Sequence, residues 1–150
     1  MLKRKFYNVS APDFPLTAYE KENQYKLYTS DIGLLTAMYG FDMKKAVIDN
    51  TLKGNVKGGI YENLILDMMS KRGYKLNYYR TDNGSIEVEF LMTKDAQVIP
   101  IEVKAGNGST ISLNTLLAKD DIPYGYKLIS GNVGVNDKKI VLPLYMAMFI

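Results

Sequence analysis

The sequence predicts an α/β domain with a central mixed sheet flanked by helices. Three observations carry this expectation. Residues 85–92 ("SIEVEFLM") alternate strictly, and 98–104 ("VIPIEVK") read as a returning strand, with "TKDAQ" turning the chain between them. Residues 59–72 place apolar side chains at helical spacing ahead of that hairpin. Behind it, a short helix leads to two further strands at 124–130 and 138–144.

In chain order, 5–9 read as a short strand, followed by a loop around Pro12 and Pro15. Residues 25–28 alternate as a strand. A short apolar helix follows, which Thr29, Ser30 or Asp31 can cap and Gly40 can end. Residues 41–57 are a weaker helical stretch closing on "KGNVKGG", a hinge or linker. The long helix from 59 to 72 ends at Gly73, "YKLNYYR" (74–80) is a strand and "DNG" (82–84) a turn. "AGNGST" is a loop, after which Ser109, Thr110 or Ser112 caps a helix through 119. The apolar end, "LYMAMFI", packs back as a short helix. Two regions are expected: an N-terminal strand and helix segment with its linker over 1–57, and an α/β domain over 58–150.

Composition limits the chemistry. The chain is 47% hydrophobic and 23% charged, ordinary for a globular domain, and its net charge of +3 is too mild to argue for nucleic acid alone. It has no cysteine and no histidine. Disulfides, thiolate nucleophiles, imidazole metal sites and Ser-His-Asp catalysis are therefore excluded. Any metal would have oxygen ligands, which favours Mg²⁺, Mn²⁺ or Ca²⁺. No apolar run reaches the ~20 residues that span a bilayer. The basic start "MLKRKFYNVS" lacks the apolar segment of a signal peptide, so a cytoplasmic location and no membrane partner are expected.

The hairpin carries charge where a covered strand should not. On 85–92, Ile86, Val88 and Phe90 share one face, and Glu87 and Glu89 the other. On 98–104, Ile101 and Val103 share a face, and Glu102 and Lys104 the other. With both apolar faces on one core, the carboxylates and Lys104 meet opposite, where they need a cation between them. The other reading is a solvated sheet face with cross-strand ion pairs. On the helix, the apolar arc runs from Ile60 through Leu64, Met68, Tyr61, Ile65 and Met69 to Leu66. Glu62 falls inside it, and Asn63, Asp67, Ser70 and Lys71 form the polar side. Glu62 either bends out to water or points at the hairpin.

A helix with a glutamate, a strand with an acid, then a strand reading E-x-K resembles the PD-(D/E)XK nuclease superfamily. The blocks "KLYTSDIGLL", "GGIYENLIL", "YYRTDNGSIEVEFLM", "IPIEVKAG" and "LPLYMAMFI" make the match closer. In that order they are similar to the C-terminal domain of unknown function of predicted prokaryotic, archaeal-type AAA ATPases. The resemblance covers roughly residues 15–150. It implies a nuclease-like core preceded by a winged-helix-like remnant, residues 1–40 resembling the wing and the helix after it. It also implies the back part of a longer protein, the N-terminal segment being less securely packed without it. The chain has no G-x-x-x-x-G-K-[ST], so no ATP site is expected.

By the resemblance, Glu89 and Glu102 are metal ligands for Mg²⁺ or Mn²⁺. Lys104 and Glu62 are catalytic, and in the active reading basic residues such as Arg80, Lys119 or Lys127 would contact the phosphates of DNA or RNA. The family pattern "EVDF" reads "EVEF" here, which puts Glu89 in place of an aspartate. The carboxylate then sits about a bond length, ~1.5 Å, further out. This departure and the low charge favour a regulatory, partner-binding or nucleic-acid-binding module of an ATPase, with weak or no cleavage alone. The alternative is an active Mg²⁺-dependent phosphodiesterase. An oligomerisation module rests only on the apolar tail.

Overall fold

The structure is a computed structural model, described over residues 3–105 and 108–150. Gly106 and Asn107 of the expected "AGNGST" loop, and Met1 and Leu2 of the basic start, lie outside the described residues.

The elements are β1 (Lys3–Val9), β2 (Glu20–Thr29), α1 (Ile32–Tyr39), α2 (Phe41–Ile48), α3 (Gly54–Lys71), β3 (Leu76–Arg80), β4 (Glu87–Lys94) and β5 (Gln97–Lys104). These are followed by α4 (Ile111–Leu117), β6 (Gly125–Ile129), β7 (Gly134–Asn136) and β8 (Lys139–Pro143). Short 3₁₀ turns run over Leu16–Tyr19 and Leu144–Phe149. The strands form one eight-stranded mixed sheet in the order β2-β1-β3-β4-β5-β6-β8-β7. β4 and β5 are adjacent and antiparallel, as the hairpin pattern requires. Asp95 and Ala96 at its tip both have positive φ, the geometry of a tight two-residue hairpin turn. The parallel pairs β5–β6 and β6–β8 form the other half of the sheet, with α4 connecting β5 to β6.

Both faces of the sheet are covered. α3 and the C-terminal turn pack Ile65, Leu66, Met69 and Ala147 on one face against Phe6, Phe90, Ile101 and Leu128. α4 packs Leu113 and Leu116 on the other, against Val9, Val88, Leu91 and Val98. Ile65, Leu66 and Met69 are fully buried, each contributing about 1.5–3 kcal/mol of hydrophobic stabilisation. Leu66→Ala would leave a cavity costing about 2–5 kcal/mol. Pro100 sits within β5, one residue before its pairing with β6 begins at Ile101. Gly125 lets the chain pass there, because a Cβ would lie 3.0 Å from the Pro100 carbonyl oxygen.

Two expectations are corrected, the second in part. "KGNVKGG" is not a hinge but the start of α3, which begins at Gly54. Gly58 and Gly59 lie in open space, so nothing opposes the helix there except glycine's intrinsic cost of about 1 kcal/mol each. The buried turns that follow carry that cost. On the polar side of α3, Asn63 and Asp67 are buried beneath the chain leaving β2. The N-terminal segment divides: its hairpin is built into the sheet, whereas α1 and α2 carry no buried residue, so the expected looser packing is corrected for the hairpin alone. β1 and β2 are members of the one sheet, and Asp31 caps α1 by accepting from the Leu34 amide at 2.8 Å. β7 and the turn over Leu16–Tyr19 had no clear signal in the sequence. Among the described residues, no helix is long and apolar enough to cross a membrane.

Candidate functional site

A break in the β3–β4 ladder positions the first acid. Asn77 pairs with Leu91 and Tyr79 with Val88, so Glu89 and Phe90 together oppose Tyr78 alone. This is a β-bulge, with its extra residue on β4. It reverses the alternation expected of the strand: Val88 packs on the α4 side, whereas Phe90 packs on the α3 side. On the other edge, the ladder between β4 and β5 ends at the pair Phe90–Ile101. Beyond that pair the two strands part, and the Glu89 side chain occupies the fork. One of its oxygens accepts from the Val103 amide at 3.4 Å and the other from Lys104 Nζ at 2.8 Å.

The period-2 alternation of β5 places Glu102 and Lys104 on one face, as expected. Lys104 Nζ stands 3.6 Å from Glu102 Oε1 and so serves both carboxylates. Glu102 is 1% exposed, and among the described residues its buried Oε2 has no hydrogen-bond partner. Burial pushes the Glu102 carboxyl up to about 7, Lys104 pulling it down and Glu89 adding to the rise. Burial also raises Glu89, against the hydrogen bond and charge of Lys104. Burial alone would lower Lys104, but the bond to Glu89 and the two negative charges raise it. Three of the expected residues are thus in direct contact.

Glu62 is half-buried and faces the sheet, not the solvent side of α3. Its Oε2 accepts from Tyr28 Oη at 2.8 Å. Glu62 lies near enough to Glu89 for its charge to help raise the Glu89 carboxyl. Tyr28 is held above the usual phenol range, first by burial and then by the charge of Glu62 and the bond to it. Tyr28 was not singled out in the sequence. The alternation of 25–28 places it on one strand face, but nothing local signals its partner 34 residues away. Next to it, Thr29 is bound through its amide and hydroxyl to Asn63 Oδ1, at 2.9 and 3.1 Å.

The remaining charges divide. Glu87 is engaged away from the cluster, with Lys26 at 2.6 Å and Arg80 at 3.7 Å. Arg80 is therefore already paired. Lys127 is the β6 neighbour of Glu102, and its Nζ donates to the Gly108 carbonyl at 3.3 Å. Lys119 follows the C-terminal end of α4, where its carbonyl accepts from Lys138 Nζ. That is the end of the crossover away from Lys104, so of the three expected phosphate contacts only Lys127 borders the carboxylates.

The donor set is oxygen only. Among the described residues, no three acidic side chains are grouped to hold a metal. Glu89 and Glu102, whose Oε2 has no partner among the described residues, suit a cation that needs one or two carboxylates and keeps several waters, as Mg²⁺ does. Such a cation would compete with Lys104 for the same oxygens.

A protein-family model described as "Domain of unknown function (DUF4143)" matches residues 57–147. The match spans most of α3 through β8, and so includes Glu62, Glu89, Glu102 and Lys104 but not Tyr28. No curated protein and no solved structure matches the chain.

Proposed function

The chain belongs to the family described as Domain of unknown function (DUF4143), and on that premise we propose that it is a PD-(D/E)XK nuclease-like module. In this reading it serves an ATPase domain, a partner protein or a nucleic acid, and cleaves weakly or not at all alone. Its first strands and helices are a winged-helix-like remnant. The single observation that supports the reading is the trio at the strand fork: Glu89 on its bulge, Glu102 with an unpartnered buried oxygen, and Lys104 between them.

Glu89 and Glu102 would hold one Mg²⁺ or Mn²⁺, and Tyr28 keeps Glu62 turned toward Glu89. When bound, the metal supplies Lewis acidity toward a phosphodiester oxygen and an acidified water. The chain's own part is to exclude bulk water and to hold positive charge at Lys104 and Lys127 for a phosphate. The same geometry favours weak activity. Lys104 already neutralises the carboxylates, and Glu89 is committed to both Lys104 and the Val103 amide.

A second reading, an active Mg²⁺-dependent phosphodiesterase, is favoured by the position of Glu89 on a bulge, since bulges commonly aim side chains at active sites. Incubation with single- and double-stranded DNA and RNA in Mn²⁺, repeated with Lys104→Ala, separates the two. Robust cleavage lost in Lys104→Ala establishes the enzyme. Cation binding by calorimetry without cleavage supports the module. No binding at millimolar Mn²⁺ overturns the phosphodiesterase and leaves a module without metal, with Lys104 as the structural counter-charge.

A further inference from the structure

β1 has one satisfied edge and one open edge. Toward β2 it pairs along its whole length, from Lys3–Thr29 to Val9–Glu20. Toward β3 it pairs only at Asn8–Tyr78 and Val9–Tyr79. β3 starts at Leu76, and the chain entering it from α3 swings away through Gly73. A groove of about 970 Å³ opens between Lys3–Tyr7 and the segment 73–76. The Tyr7 carbonyl accepts from Asn77 Nδ2 at 3.3 Å, which fixes the direction of the strand's polar groups. Alternation then turns the amides and carbonyls of Lys3 and Lys5 to the same side, into the groove.

The walls select among occupants. Phe6 and Leu76 are buried at the base, and Tyr74 lies beside them. Lys3, Arg4 and Lys5 stand exposed along the strand, and among the described residues none of them forms an ion pair. Lys75 stands opposite with its side chain 69% exposed. The one acid of the lining, Glu20, is already taken by Lys75 at 3.3 Å and Asn77 Nδ2 at 2.8 Å. The groove therefore combines free main-chain groups, an apolar base and a net positive rim.

We propose that this open edge of β1 docks an extended acidic segment of a protein partner, which adds to the sheet as a strand. Strand addition supplies main-chain bonds to Lys3 and Lys5 on the side where, among the described residues, β1 has no paired neighbour. Period 2 then sets the partner's pattern: acidic side chains on the Lys3 and Lys5 face, apolar ones on the Phe6 face. A phosphate backbone would meet the lysines but would use neither the apolar base nor the strand edge. The proposal does not depend on the carboxylate site, and its test leaves that site untouched.

The probe is a fluorescent peptide of about seven residues alternating glutamate and valine, titrated by anisotropy with the full chain. Saturable binding is expected, weakened at least about tenfold by the paired change Lys3→Glu with Lys5→Glu. Binding should be lost with a peptide N-methylated at alternate amides. Amide exchange at Lys3 and Lys5 should slow on binding, a readout that needs no variant to fold. Absence of binding overturns the proposal. So does equal binding of the N-methylated peptide, which would leave only charge attraction. Tighter binding of single-stranded DNA with protection of the same amides would assign the groove to nucleic acid instead.

Discussion

Asn63 on α3 grips Thr29 at the end of β2 from both sides of its peptide. Its Oδ1 accepts from the Thr29 amide at 2.9 Å, and its Nδ2 donates to the Thr29 carbonyl at 3.2 Å. Both residues are buried, and the neighbouring bond from Tyr28 to Glu62 runs beside them. The N-terminal hairpin is thus fastened to the helix that carries Glu62.

Asn63→Ala should lower stability by about 2–3 kcal/mol, because it strands two main-chain groups in a dry contact. Urea denaturation measures this. A loss within about 0.5 kcal/mol would mean that water takes over both bonds, and the clamp would not be structural.

Lys104→Ala removes the cation shared by Glu89 and Glu102. At pH 8 the cost should be about 3 kcal/mol, since two buried carboxylates lose their partner. At pH 5 it should shrink, because Glu102, raised to about 7 by burial, is then protonated and no longer needs the cation. Denaturation of wild type and variant at the two pH values gives the comparison. An equal loss at both would assign the effect to packing of the lysine stem.

Glu102 makes the native state sensitive to pH in a defined direction. Its carboxyl is raised from an ordinary value near 4.5 to about 7 by burial, so the folded chain holds this proton more firmly than the unfolded one. The resulting stabilisation is complete below about pH 4.5, declines as pH rises, and is gone above about pH 7. The whole span is about 3 kcal/mol. Glu102→Gln should flatten this part of the stability–pH curve. A variant curve with the wild-type slope between pH 5 and 7 would show that another group titrates there.

Glu89→Asp tests the reach of the acid on the bulge. Its carboxylate would withdraw by about 1.5 Å, giving up the 2.8 Å bond from Lys104 and the 3.4 Å contact with the Val103 amide. Stability should fall by about 1–2 kcal/mol. Under the metal-site proposal, Mn²⁺ affinity should rise, since a carboxylate released from Lys104 is free for the cation. Calorimetry showing unchanged Mn²⁺ affinity would count against Glu89 as a ligand, and weaker binding would show that the longer side chain is the one that reaches the cation.

Much of this protein is written in its local periodicity. Strict alternation in 85–92 and the returning 98–104 announced an antiparallel hairpin, and period 2 alone put Glu102 and Lys104 on one face. The helical spacing of Ile65, Leu66 and Met69 identified the elements that cover the sheet, and Asp31 and Gly40 bounded α1 through their own backbone chemistry. These follow from dihedral preferences and side-chain direction, which belong to the chain segment itself. Other features depended on a partner distant in sequence. The bulge at Glu89 and Phe90 exists only against Tyr78, and it moves Val88 and Phe90 to opposite faces. Asn63 and Asp67 are polar by type, but become interior because residues 29–32 cross over them. The same holds for the open edge of β1, which exists because β3 diverges from it after two pairs. Periodicity specifies which way a side chain points; only tertiary packing decides what it meets there, and whether its charge is solvated, paired or left buried.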